Sequence, residues 1–88
     1  MTARSPKSRL ARAVGAEVRH QREALGLTQA QLGARVGKGA GDISRMENGR
    51  RPPQLATLVK VVEDGLGLTM RAFWPGVEVR RSFLRRAA

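Results

Sequence analysis

Lys38, Arg45, Arg50 and Arg51 crowd together with Ser44 and Asn48 in the single stretch KGAGDISRMENGRR. Guanidinium and ammonium charge beside hydroxyl and amide groups is equipment for gripping an anion, and a guanidinium can also hold a guanine edge through two hydrogen bonds. Other chemistries find less material. The single histidine, His20, sits on a basic helix without a clear carboxylate or nucleophile partner and reads as a surface residue. The acids lack metal-ligand spacing, with Asp42 and Glu47 five apart and Glu63 and Asp64 adjacent. Gly37-x-Gly39-x-Gly41 follows no strand, so it lacks the setting of a nucleotide loop. No enzyme, metal site or cofactor is expected.

The same stretch is unusual as a helix. Ile43 and Met46 share one face and Gly49 is a stop, yet Gly39, Ala40 and Gly41 stand where the helix should start firmly. Each glycine in a helix interior costs roughly 1 kcal/mol relative to alanine. Either these small residues let the backbone come close to a ligand, or Gly39 is a cap and Gly41 is tolerated.

The elements that position this stretch follow from periodicity. Residues 1–8 are basic and polar and read as a flexible arm. Leu10, Val14, Val18, Gln21 and Leu25 mark one face of a first helix from Arg9. Thr28 with Gln31 makes a capping box for a second helix over 29–36, which Gly37 ends. A third runs over 40–48, so a tight glycine turn joins two short helices. After the rigid loop GRRPPQ, Leu55, Leu58, Val59 and Val62 predict a fourth helix over 55–64, broken at Gly65. Leu66, Leu68 and Met70 then alternate with Gly67, Thr69 and Arg71, which predicts a short strand. A lone strand needs a partner, and a second copy of the chain is the simplest source. Trp74 is either an interface anchor beside it or a cover for the core. The tail from Val77 to Ala88 has no clear assignment.

The chain has 88 residues, 17 Lys and Arg against 7 Asp and Glu, a net charge of +10 and no cysteine. One domain, a reducing cytoplasmic setting and a polyanionic partner fit these numbers, with nucleic acid the commonest such partner. No apolar run reaches membrane-spanning length.

LTQAQLGARVG followed by DISRMENGRRPPQLATLVKVV resembles the XRE, or Cro and phage-repressor, type of helix-turn-helix domain. The resemblance implies an all-α, lambda-repressor-like bundle of four to five helices, with the short C-terminal strand added. It implies a DNA-binding domain over 9–65 and a strand and basic tail over 66–88. Helix two would cross the phosphate backbone and helix three would enter the major groove. On the matching positions, Thr28 and Gln29 meet phosphate at the start of helix two. Gly39, Ala40, Gly41, Asp42, Ser44, Arg45 and Asn48 lie at the base edges, and Arg45 reads guanine or binds phosphate. Lys38, Arg50 and Arg51 flank them on phosphates. Arg22 and Glu47 match an ion pair that ties helix one to helix three.

The function implied is a regulator that represses its own gene from a palindromic operator as a homodimer, paired through Leu66, Leu68, Met70 and Trp74. ATLVKVVEDGLGLTMRAF is also similar to HipB-type antitoxins, with an extra residue near Gly65, which implies a toxin protein as an alternative partner.

Overall fold

The computed structural model describes residues 6–87, with side chains over 8–86. Five α-helices follow one another: α1 (Pro6–Ala24), α2 (Gln29–Val36), α3 (Ala40–Asn48), α4 (Leu55–Lys60) and α5 (Met70–Ala87). The helix begins at Pro6 rather than Arg9, because proline at the first helical position loses an N–H that would have had no partner there. The rest of the expected arm, residues 1–5, lies outside the described residues.

One core serves all five helices. Ala13, Val14 and Val18 of α1 pack with Leu32 and Val36 of α2, Ile43 of α3, Leu58 of α4, and Phe73 and Val77 of α5. Leu25 falls beyond the end of α1 and is about half exposed, so the expected apolar face stops one turn early.

α4 runs directly into a widened π-helical turn, Val61–Gly65, closed by the Leu66 N–H donating to the Val61 carbonyl at 2.9 Å. A π turn takes up one additional residue in a helix. The turn is seated on α2. A Cβ on Gly65 would lie 2.8 Å from Leu32 Cδ1, and the Gly65 carbonyl accepts from Arg35 Nη1 at 3.0 Å.

The expected strand over 66–70 is not formed; the described residues contain helices and turns only. Leu66 closes the π turn and Gly67 adopts φ +71°, while the Leu68 N–H returns to the Val62 carbonyl at 3.0 Å. Thr69 then caps α5, its hydroxyl accepting from the Ala72 N–H at 3.1 Å. The apolar alternation is therefore a helix stop followed by a helix start. Of the four residues expected at a dimer interface, Leu66 is buried in the chain's own core, and Leu68, Met70 and Trp74 are half-buried against it.

Two close approaches lock α1 in place. A Cβ on Gly15 would lie 2.4 Å from the Met46 carbonyl oxygen, and one on Gly49 would lie 2.6 Å from Arg12 Cα. α1 thus crosses the end of α3 backbone against backbone. On the other side, Gly76 of α5 leaves room for the buried Glu17 carboxylate, which accepts from Arg80 Nε at 2.8 Å and Gln21 Nε2 at 2.7 Å.

Candidate nucleic-acid interface

The start of α2 is fixed by a complete capping box. The Thr28 hydroxyl accepts from the Gln31 N–H at 3.0 Å and the Thr28 N–H donates to Gln31 Oε1 at 2.8 Å. At its end, Gly37 takes φ +69° and its N–H bonds the Gly33 carbonyl. The turn then folds back so tightly that a Cβ on Gly33 would lie 2.4 Å from the Lys38 carbonyl oxygen. This short turn sets the angle between α2 and α3.

α3 is held at its C-terminal half and free at its start. Ile43 is buried and Met46 packs on the core, whereas Gly39, Ala40, Gly41, Asp42 and Arg45 are exposed. Gly39 has no side chain to cap the helix, so only half of a capping box exists: Asp42 Oδ2 accepts from the Gly39 N–H at 3.3 Å. The other Asp42 oxygen, Oδ1, accepts from Arg45 Nη2. The bonded Arg45 guanidinium, helped by the Gly39 N–H, holds the Asp42 carboxyl below its ordinary range.

The pair expected to tie α1 to α3 is present. Arg22 Nε donates to Glu47 Oε2 at 2.7 Å and Nη2 donates to Oε1 at 3.0 Å. Nη1 donates to the Leu27 carbonyl at 2.7 Å. The side chains are 10% and 3% exposed, so water replaces none of these bonds readily. The Glu47 carboxylate raises the Arg22 pKa above its already high ordinary value, against the opposing effect of burial. Gln29 Nε2 also donates to Glu47 Oε1, at 3.0 Å, so the amide assigned to phosphate is turned inward onto this carboxylate. Thr28 likewise spends its hydroxyl oxygen and N–H on the cap.

Cations from both ends of α3 meet beside it. Lys38, Arg45, Asn48, Arg50 and Arg51 line an open cavity of about 720 Å³ between α3 and the loop over 49–54. Among the described residues, no carboxylate pairs with Lys38, Arg50 or Arg51. Their charge is left for an external anion. No trio of His, Cys, Asp or Glu among the described residues could hold a metal ion.

Gly41 answers one local question. Nothing but Arg45 Nη1, at 3.6 Å, would touch a Cβ placed there, so the glycine is not needed for packing. Gly41→Ala is expected to raise stability by up to about 1 kcal/mol, measured by urea unfolding. A lower midpoint would mean that the first turn of α3 depends on a bare Cα.

Sequence reasoning missed Glu17 and Arg80, although an acid within the apolar face of α1, four residues before Gln21, calls for a cation. It also missed the packing duties of Gly15, Gly33 and Gly49, which have no local signal.

Two short helices joined by a glycine turn, the second presented outward among unpaired cations, define a helix-turn-helix module of the DNA-binding class. A family model described as a helix-turn-helix domain matches residues 13–71, well over half of the chain, and the chain belongs to that family. The match is consistent with the XRE resemblance. No curated protein and no solved structure matches the chain.

Proposed function

We propose that this protein is a sequence-specific transcriptional regulator, a repressor that occupies a palindromic operator at its own gene as a homodimer. The observation carrying this reading is the presentation of α3: Ala40, Gly41, Asp42 and Arg45 stand exposed while Lys38, Arg50 and Arg51 converge beside them without carboxylate partners among the described residues. Arg45 and Ser44 would meet base edges, Ala40 and Gly41 would let the helix sit deep, and the three cations would bind phosphates. So few reading side chains cover only a short half-site. A second copy related by two-fold symmetry would place another α3 about 34 Å away, one turn along the groove. Strand pairing is not the means of joining the copies, since helix replaces the strand.

The test is fluorescence anisotropy with the DNA upstream of the protein's own gene and with a scrambled duplex, over a range of salt. The upstream duplex should bind about 10³-fold tighter or more. Equal affinity for both duplexes would refute sequence reading at this site. Lys38→Ala, Arg50→Ala and Arg51→Ala should each lower the slope of log affinity against log salt by about 0.9. Unchanged slopes would remove those residues from the phosphate contact.

The HipB-type reading drew on the fourth helix and the trailing strand. The strand is not formed, and among the described residues no feature favours a toxin partner over DNA. Among the described residues no helix is long and apolar enough to cross a membrane.

A further inference from the structure

Arg45 is an exposed arginine that is nonetheless tethered, and the tether decides what it can touch. Its side chain is 74% exposed and that of Asp42 50%. Long side chains on a helix lean toward its N-terminus, so Arg45 reaches back one turn to Asp42 Oδ1. Asp42 is itself fixed from the other side, since Oδ2 accepts from the Gly39 N–H at 3.3 Å. Backbone, carboxylate and guanidinium therefore form one chain of hydrogen bonds. The guanidinium lies over the bare first turn of α3, its Nη1 3.6 Å from the place a Gly41 Cβ would occupy. Among the described residues, its one bond within the protein is an Nη2 N–H, and Nη2 has two, so one two-donor edge of the guanidinium is left for an outside acceptor.

We propose that Asp42 is the positioning residue of the DNA-reading surface: it aims the Arg45 guanidinium at a guanine edge and, by its own charge, keeps that arginine from serving as a general phosphate contact. This rests on the DNA-reading role proposed for α3. An ion pair this exposed adds little to folding, so its effect is on recognition. A tethered guanidinium loses less rotamer freedom on meeting a base than a free one does. The carboxylate meanwhile repels phosphates that come near it. Affinity for arbitrary DNA falls, and discrimination rises.

The experiment is selection of binding sites from a random duplex pool by the full chain, as wild type, Asp42→Asn, Asp42→Ala and Arg45→Ala. It is followed by affinity measurements on the selected and scrambled duplexes. Asp42→Asn keeps an acceptor for the Gly39 N–H, and unchanged circular dichroism melting confirms that it is folded. Wild type should select a guanine in each half-site, and Arg45→Ala should lose it. Both Asp42 variants should lower the preference for that guanine at least about five-fold, the lower end of what a bidentate contact supplies. Both should also bind the scrambled duplex more tightly than wild type does. Retention of the full guanine preference by both Asp42 variants overturns the inference and leaves the regulator reading standing. Loss of a cytosine preference elsewhere, with the guanine kept, overturns it too, by making Asp42 itself a base reader. A wild type that selects no base at all defeats the regulator reading itself.

Discussion

Glu47→Ala should lower stability by about 3–5 kcal/mol, because it strands the Arg22 guanidinium in a site that water barely reaches. The carboxylate receives two bonds from Arg22 and one from Gln29, and its side chain is 3% exposed. Truncation removes all three acceptor contacts at once and leaves the guanidinium, among the described residues, hydrogen-bonded to the Leu27 carbonyl alone. In a chain of this size each kcal/mol moves Tm by roughly 4–8 °C, so thermal melting will show the loss clearly. The double variant Arg22→Met with Glu47→Leu separates charge stranding from packing. It should recover most of the loss, since an apolar pair of similar volume often matches a buried ion pair. If Glu47→Ala melts within a few degrees of wild type, the pair is solvated in solution and does not tie α1 to α3.

Gly15→Val is the second large effect, expected at roughly 3 kcal/mol, the upper end of the usual overpacking range. A Cβ at this position would stand 2.4 Å from the Met46 carbonyl oxygen and 2.6 Å from that of Glu47. Those atoms are backbone, so relief requires α3 to move as a body away from α1. The readout is therefore double: a lower urea midpoint, and weaker DNA binding by whatever protein remains folded. Gly26→Ala is the control. Nothing lies within 4 Å of its Cβ, but φ is +70°, so its loss should come from backbone strain alone, about 1–2 kcal/mol, with DNA binding unchanged. Equal losses of binding in the two variants would show that the crossing does not position α3.

The parts of the molecule written in local chemistry were legible. Thr28 with Gln31, and Gly37 and Gly49 at the helix ends, mark α2 and α3 at the boundaries observed. The Arg22–Glu47 pair was legible only through the family pattern, since residues 25 apart carry no shared local signal. α5 was misread because Leu66, Leu68 and Met70 satisfy an alternating pattern by coincidence. Gly67 and Thr69, each acceptable inside that pattern, are a left-handed stop and a hydroxyl cap. Pro75 lies inside α5, which continues past it. The cation cluster beside α3 was legible as charge. Its convergence was not, because the loop over 49–54 has no period to follow.

α3 is secured by Ile43 in the core, by its C-terminal backbone against Gly15 and by Glu47, while Ala40, Gly41 and Asp42 stand outside that grip. Mutation can therefore work on residues 40, 41, 42, 44 and 45 with little effect on whether the chain folds. A lineage carrying this scaffold can change what this face meets in single steps, without passing through an unfolded ancestor.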